Sequence, residues 1–411
     1  MKMVTVMHGD LLQSCPPKLS QRRLASNPLG LAQDRFHGSP KASSEFVHKL
    51  QSTYEKRIAE ALLELKRSKS SGELSANSHE DFHDTGPTAT LIVPGLEDDY
   101  YQSILTWGRD SSLFVGVRQE IHKVEGVDSE NPHSRPLGLI LDQQKLSAIA
   151  TQPGGGELMA VATKEGCLGY LDLGHQSQRL MGTRRQHDLR IAALCWADPN
   201  VLATASKDTC IALHDIRSNK ATVGRFKAHS QEVCGLTFSK LEPTMLASGG
   251  NDNAVHVWDL RFAHQNHLVP FASWHRHQAA VKALAWNPLQ RGLLASGGGT
   301  ADKCIHIWNS KSESQQQPHH VIETGSQVCG LTWMAGNTAP GQIVSSHGYS
   351  DNHMVLWDSD RRQGIPFYGH SQRVLHMQYD RRSGLVATAG GDQRLCLWKL
   401  NLNASKSSIA L

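Results

Sequence analysis

The sequence predicts an all-β fold, a ring of seven four-stranded sheets that follows a largely disordered N-terminal arm. The stretch MLASGGNDNAVHVWDL, residues 245–260, holds a strand of small residues, a turn rich in Asn, Asp and Gly, and an alternating strand that ends in Trp-Asp. Similar stretches recur about every 40–50 residues. Their alternating strands end at His122, Leu171, His214, Trp258, Trp308, Trp357 and Trp398. This period and the Trp-Asp ending are typical of WD-repeat β-propellers with one four-stranded blade per repeat, so seven copies predict seven blades.

The arm, residues 1–87, is rich in Ser, Lys, Arg and Pro and poor in aromatic residues, which is typical of disorder. One segment in it is periodic and predicts an amphipathic helix at about 44–67. Its apolar residues recur at steps of four or three: Phe46, Leu50, Tyr54, Ile58, Leu62 and Leu65. Because this helix has no core of its own, we expect it to dock on a partner or on the side of the propeller.

The propeller is expected at 88–400, with an eleven-residue tail at 401–411. The seventh repeat ends at Leu400 without an outer strand, and the tail NLNASKSSIAL is too short and polar to form one. The apolar stretch TATLIVPG, residues 88–95, lies before the first repeat and can fill this place. We therefore expect residues 88–93 to pair with the seventh blade and close the ring, which removes an open sheet edge.

The turn of each repeat contains residues that we assign to the scaffold. Gly249 and Gly250 permit a close approach of the chain to the turn. An aspartate sits in most of these turns, where WD repeats use it to hold the turn by hydrogen bonds: Asp208, Asp252, Asp302, Asp351 and Asp392. His229 and His370 stand where its usual partner lies. These aspartates are therefore not an acid–base set.

Composition excludes several function classes. The net charge of +4 over 411 residues is too small and too dispersed to predict nucleic-acid binding. No apolar run reaches 18 residues, and the N-terminus lacks the pattern of a signal peptide, so no membrane partner is expected. Eight single cysteines fit a reducing compartment, and we expect the nucleus and cytoplasm. The 23 histidines lack zinc-site spacing, so neither a metal nor another cofactor is expected.

Several segments resemble the Fizzy and Fizzy-related family: VPGLEDDYYQSILTW, HSQEVCGLTFS, LASGGNDNAVHVWD, GGGTADKCIHIWN, SQVCGLTW and SSHGYSDNHMVLW. Members of that family are WD-repeat coactivators and substrate receptors of the anaphase-promoting complex, a ubiquitin ligase of mitosis. The resemblance covers about residues 92–400 and implies a propeller that does no chemistry and binds short degrons. It also implies ligase subunits, degron-containing substrates and checkpoint proteins as partners. The sequence has no nucleophile elbow and no phosphate-binding loop, which agrees with a protein that is not an enzyme.

The resemblance implies a pocket for Lys-Glu-Asn degrons on the upper face of the propeller. The matching positions carry the family's polar residue types: Asn251, Asn253, Thr300, Gln327 and Arg373. Such mixed donors and acceptors suit a peptide with a cation, a carboxylate and an amide, and Arg373 suits the glutamate. The alternative interpretation of the two asparagines is that they are ordinary polar residues of a turn and bind no peptide.

The resemblance also implies a weakened site for the second degron, the destruction box. Two acidic residues of the family are expected on the rim where blades one and seven adjoin, and this chain has Thr106 and Gln393 in their places, followed by Arg394. A neutral acceptor contributes about 1 kcal/mol where a charged one contributes about 1.5–3. We therefore expect the chain to favour Lys-Glu-Asn degrons.

The ligase-binding box of the family departs from its usual form here. Asp34, Arg35 and Phe36 are retained in DRFHGSPK, residues 34–41, but the following Ile-Pro pair is replaced. The C-terminal Ile-Arg of the family is also missing, since the sequence ends in SSIAL. Ser39-Pro40 lies inside the box and is a candidate site for a proline-directed kinase. Two functions remain open: a substrate-recruiting coactivator, or a degron-binding scaffold or inhibitor that no longer activates the ligase.

Overall fold

The structure is a computed structural model. It describes residues 85–127, 132–137, 144–174, 180–218, 222–262, 269–312, 317–334, 341–357 and 364–400. The expected arm helix, the ligase-binding box with Asp34, Arg35 and Phe36, the candidate phosphosite Ser39 and the tail 401–411 lie outside the described residues.

The described residues form seven four-stranded antiparallel sheets, here called blades one to seven, and each blade is numbered from its innermost strand outward. Blade one contains β2 Leu105–Trp107, β3 Leu113–Val117, β4 Glu120–Glu125 and β5 His133–Pro136. Blade two contains β6 Leu146–Thr151, β7 Leu158–Thr163, β8 Cys167–Asp172 and β9 Leu180–Arg185. Blade three contains β10 Ile191–Trp196, β11 Val201–Ser206, β12 Ile211–Asp215 and β13 Gly224–Phe226. Blade four contains β14 Val233–Phe238, β15 Met245–Gly250, β16 Val255–Asp259 and β17 Ala272–Trp274.

The remaining blades follow the same order until the ring closes. Blade five contains β18 Val281–Trp286, β19 Leu293–Gly298, β20 Cys304–Asn309 and β21 His320–Glu323. Blade six contains β22 Val328–Met334, β23 Gln342–His347, β24 Met354–Trp357 and β25 Gly364–Phe367. Blade seven contains β26 Val374–Tyr379, β27 Leu385–Gly390 and β28 Arg394–Lys399, and its outermost strand is β1, Ala89–Ile92. Two short 3-10 helices occupy loops, at Arg109–Ser111 and Leu260–Phe262.

The strand that closes the ring comes from the start of the described chain. β1 runs antiparallel to β28, with Leu91 opposite Leu395 and Ile92 opposite Arg394. The blade thus joins residues from both ends of the propeller, as expected for the segment 88–93, and the seven-bladed β-propeller predicted from the repeat is confirmed.

The apolar core lies between neighbouring blades. The second strand of a blade, such as Met245–Gly250, is buried along its whole length because the adjacent blades pack on both of its faces. Small residues in the second strand allow the sheets of neighbouring blades to approach each other closely. In blades two to seven the innermost strand also carries a β-bulge at its start, which increases the local twist of that strand.

A hydrogen-bonded chain of side chains ties turn to strand within a blade. In blade four His229 Nδ1 lies 3.0 Å from the Asp252 carboxylate and Nε2 lies 2.8 Å from Ser248 Oγ, which also accepts the Trp258 indole N–H. Blade seven repeats the arrangement with His370 and Asp392, so both predicted His–Asp pairs are confirmed. Blades three and five add His187–Asp208 and His277–Asp302.

Indole rings connect blades at the other end of the innermost strands. Four tryptophans donate their N–H to a backbone carbonyl of the preceding blade: Trp107 to Gln378, Trp196 to Ala150, Trp286 to Thr237 and Trp333 to Ala285. These contacts satisfy the indole N–H groups and connect adjacent blades.

Two further features concern the described residues as a whole. Seven cysteines are free thiols. Within the described part of the chain, no helix is both long enough and apolar enough to cross a membrane.

Candidate functional site

The candidate site lies at the upper end of the propeller, which we define as the end that carries the turns between the second and third strands. The segment Glu97–Tyr101, here called the strap, precedes blade one and contacts this end of several blades. Its residues bond to Lys164 of blade two, Arg190 of blade three, Asn251 of blade four and Arg373 of blade seven. Residues that are far apart in the sequence therefore converge here.

Arg373, the residue expected to bind a peptide glutamate, is already paired within the chain. Its Nε donates to the Asp98 carboxylate at 2.9 Å and its Nη2 to the Asp98 carbonyl at 3.1 Å. Its guanidinium also stacks on the Tyr349 ring, 4.7 Å from the centroid. Burial lowers the pKa of Arg373, but Asp98 raises it to a net value above the usual range. A ligand carboxylate would therefore meet a fully charged guanidinium and would compete with Asp98.

Gln327 lies beside Arg373 but beneath the surface. Its side chain is fully buried, and neither its amide nitrogen nor its amide oxygen has a hydrogen-bond partner. Gly348 separates the two residues: a Cβ at that position would collide with Gln327 Oε1 and lie 3.2 Å from Arg373 Cδ. An unsatisfied buried amide costs about 1–3 kcal/mol, so a ligand that reached it would recover that free energy.

The two asparagines differ in their environments. Asn251 accepts a hydrogen bond from the Tyr101 hydroxyl at 3.0 Å and donates to Gln231 Oε1 at 2.9 Å, so its side chain is part of the strap contact. Asn253 has φ 63°, a left-handed conformation that Asn tolerates better than most residues. The turn accounts for Asn253 without a ligand. Thr300 lies in the equivalent turn of blade five and is half-buried.

The strap brings carboxylates to the upper face. Glu97 and Asp99 bind Lys164 at 2.6 and 3.3 Å. Arg190 lies 3.5 Å from Asp99, forms a two-bond pair with Glu232 and stacks 4.7 Å from the Tyr101 ring centroid. Acidic and basic side chains therefore alternate across this face, which suits a peptide that carries both charges.

The structure corrects the expected position of Thr106. Instead of lying on the rim between blades one and seven, its hydroxyl lies 3.0 Å from Thr151 Oγ1 of blade two, and the residue is only 9% exposed. The reason is the alternation of side chains along β2: Trp107 faces blade seven and Thr106 the opposite way. The expected weak binding of destruction boxes depended on Thr106 and Gln393, and this position of Thr106 does not support it.

Gln393 does lie at the edge of blade seven, next to the segment that follows β1. Its amide oxygen accepts a hydrogen bond from the Gly95 N–H at 3.2 Å, and its carbonyl accepts one from the Val93 N–H at 2.8 Å. Its φ of 60° matches that of Asn253 in blade four. The structure gives Thr106 and Gln393 different partners on different blades, so it does not unite them in one site.

Two clusters have donor atoms close enough to hold a metal ion. They contain His229, Asp252 and His256 in blade four, and His277, Asp302 and His306 in blade five. In each cluster the first histidine and the aspartate already bond to each other and hold the turn. We therefore assign them to the scaffold.

The strap is a part of the site that the repeat pattern does not predict. Its sequence LEDDYY nevertheless contains a signal, because three acidic residues followed by two tyrosines stand directly before the first blade. No comparable signal in the sequence marks Gln327, because its burial depends on Gly348 and Arg373, which flank strands of the chain distant from it.

Comparisons with known proteins agree with this architecture. Residues 91–398 match the family model of the CDC20/Fizzy WD40 domain. The chain is 34% identical over 315 residues to meiotic fizzy-related protein 1 of Schizosaccharomyces pombe, covering 76% of this chain and 70% of that protein. It is also 34% identical over 315 residues to the APC/C activator protein CDH1 of Saccharomyces cerevisiae, and 33% to FIZZY-RELATED 1 of Arabidopsis thaliana. Each match covers 76% of this chain, but it spans only 52% of CDH1 and 62% of FIZZY-RELATED 1.

A solved structure shows the same fold. A chain of the mitotic checkpoint complex superposes with a TM-score of 0.69 and 30% sequence identity, over 80% of this chain and 96% of that chain. The repeat, the seven blades and the family match over most of the propeller lead to one conclusion: this chain belongs to the CDC20/Fizzy family of WD40 propeller proteins.

Proposed function

We propose that the chain is a non-catalytic, substrate-recruiting coactivator of the anaphase-promoting complex. Its relatives include proteins named as APC/C activators, and a structural neighbour belongs to the mitotic checkpoint complex. The proposed partners are ligase subunits, degron-containing substrates and checkpoint proteins, in the nucleus and cytoplasm.

We place the degron contact on the upper face, where a peptide with the sequence Lys-Glu-Asn would bind. The observation that carries this assignment is the buried, unpartnered amide of Gln327 beside the charged guanidinium of Arg373. A peptide glutamate would pair with Arg373 and a peptide amide with Gln327. The peptide lysine would meet Asp98, whose side chain is 39% exposed. Binding would thus exchange one pair within the chain for two pairs with the peptide.

The direct test measures binding of a fluorescent Lys-Glu-Asn peptide to the full chain by polarisation. Loss of a charged hydrogen bond costs about 1.5–3 kcal/mol, so Arg373→Ala should weaken binding roughly 10- to 100-fold. Arg382→Ala is the matched control, because Arg382 is an exposed arginine of the same blade at the other end of β26. Equal binding by wild type and Arg373→Ala would show that the pocket lies elsewhere.

The altered ligase-binding box at 34–41 favours a second candidate function, a degron-binding scaffold or inhibitor that no longer activates the ligase. Affinity purification of the tagged chain from dividing cells distinguishes the two functions. Ligase subunits should copurify with a coactivator. Their absence at every stage of the cell cycle, with peptide binding intact, would favour the scaffold.

A further inference from the structure

The central channel of the propeller contains a cavity of about 450 Å³, which is within the size range of small-molecule sites. The innermost strands of all seven blades line it. Tyr100 of the strap packs on Cys329 and Leu375, which line its upper end.

The charges in this lining have one sign. The cations Lys240, Lys282 and Arg381 line the cavity together with His376, and among its described lining residues there is no aspartate or glutamate. A carboxylate that acts on Lys282 is that of Asp99 in the strap, and it already binds Lys164 and Arg190. The cavity therefore holds cationic groups without a carboxylate of its own.

Lys282 and His376 form the upper pair. The Lys282 ammonium donates to the Leu375 carbonyl at 3.0 Å and lies 5.3 Å from the centre of the Tyr100 ring. His376 is 6% exposed, and its Nε2 has no hydrogen-bond partner. Burial lowers the pKa of Lys282 to about 8, and burial together with Lys282 lowers that of His376. At pH 7 Lys282 thus remains mostly charged in a place where an isolated charge is costly.

Below this pair a ring of apolar side chains lines the channel, interspersed with threonines such as Thr106, Thr237 and Thr332. The innermost strand of every blade contributes at least one apolar side chain larger than alanine to the lining, from Leu105 of blade one to Met377 of blade seven. From Lys282 to Trp286 the strand β18 advances four residues, about 13 Å at roughly 3.3 Å per residue. A polar head at Lys282 would therefore leave room for an apolar body within this ring.

We propose that the central channel binds an organic anion whose carboxylate or phosphate head contacts Lys282 and His376 and whose apolar body lies against the ring of apolar side chains. The head would accept hydrogen bonds from the ammonium and from the N–H of His376 in the tautomer that carries its proton on Nε2. This site is separate from the degron contacts on the upper face and does not depend on them.

Calorimetric titration of the full chain tests the proposal with decanoate, decyl phosphate, decanol and inorganic phosphate. We expect at least one of the two decyl anions to bind at least tenfold more tightly than decanol and inorganic phosphate. The preferred anion identifies the head group. Lys282→Met should weaken anion binding roughly 10- to 100-fold and leave decanol binding unchanged. Lys207→Met, which removes an exposed lysine of blade three, should bind as wild type does.

Two further measurements keep the test decisive. His376→Leu removes the second contact and should also weaken anion binding, which matters if Lys282→Met does not fold. In protein labelled with ¹³C-methyl methionine, the Met377 signal, assigned with Met377→Leu, should shift on anion addition. Equal binding of anion and alcohol, no binding of any decyl compound, or an unchanged Met377 signal would overturn the proposal.

Discussion

At the scale of single residues, the upper face is organised by ion pairs that are already formed within the chain. Asp98 holds Arg373, while Glu97 and Asp99 hold Lys164 and Arg190. The residues most suited to a charged peptide are therefore not free, and a ligand must replace existing partners.

This exchange predicts a dependence on the first residue of the degron. In wild type, changing the peptide from Lys-Glu-Asn to Met-Glu-Asn removes the ion pair between the peptide lysine and Asp98 and should weaken binding. The loss should be only roughly three- to fivefold, because Asp98 is partly exposed and water screens its ion pairs. In Asp98→Asn the same peptide change should have almost no effect. Fluorescence polarisation with both peptides measures the two ratios.

Glu97→Gln is the matched control, since Glu97 pairs with Lys164 and not with Arg373. It should keep the wild-type ratio. If Asp98→Asn also keeps that ratio, Asp98 does not contact the peptide lysine.

At the scale of elements, β1 decides whether the ring is closed. Leu91 is 6% exposed and packs in the core between blades seven and one, whereas its neighbour Ile92 on the same strand is 73% exposed. The alternation of side chains along a strand thus supplies a buried and an exposed aliphatic residue side by side.

Leu91→Ala should lower the free energy of unfolding by about 2–5 kcal/mol, because it leaves a cavity against Leu395 and Val115. Ile92→Ala should change it by less than about 0.5 kcal/mol, since it removes only exposed surface. Urea denaturation of both variants measures the difference. Equal losses would mean that β1 does not pack in blade seven in solution.

At the scale of the whole molecule, buried histidines in several blades make stability depend on pH. Burial lowers the pKa of His256 and of His347 to about 3, and that of His306 to about 4. His370 behaves in the opposite way: burial lowers its pKa, but Asp392 raises it to a net value of about 9. The first three favour the fold when neutral, and His370 favours it when charged.

The signs of these shifts predict a maximum of stability near neutral pH. The unfolded chain binds protons to His256, His306 and His347 below about 6.5, so the stability that they contribute is lost progressively as the pH falls from about 6.5 towards their lower folded values. The contribution of His370 is fully present below about 6.5 and is lost as the pH rises through about 9.

His347 offers the clearest test, because it is fully buried. Between pH 6.5 and pH 5 it should account for about 2 kcal/mol of lost stability, which His347→Gln should abolish. Urea unfolding at a series of pH values measures the slope. His133→Gln, at an exposed histidine, should leave the slope unchanged, and an unchanged slope in His347→Gln would contradict the assignment.

Sequence and structure contribute differently to the candidate site. The turn positions of Asn251, Asn253 and Thr300, and the place of Arg373 just before β26, are visible in the repeat, because turns and strand ends are local features. The burial of Gln327 and the orientation of Thr106 are not, because the first depends on a glycine that follows another strand and the second on which neighbouring blade a side chain faces.

By itself the sequence determined the repeat, the seven blades, the His–Asp pairs of blades four and seven and the apolar strand ahead of the first blade. These follow from local alternation, turn chemistry and a period that can be read in one dimension. Only the tertiary structure decided that the strap lies across the upper face and that the channel contains a cavity lined by cations and by no described carboxylate. Asp98 and Arg373 are 275 residues apart, and the cavity lining comes from all seven innermost strands. Such contacts arise when the ring closes, because closure alone brings the two ends of the propeller and the inner edges of its blades together.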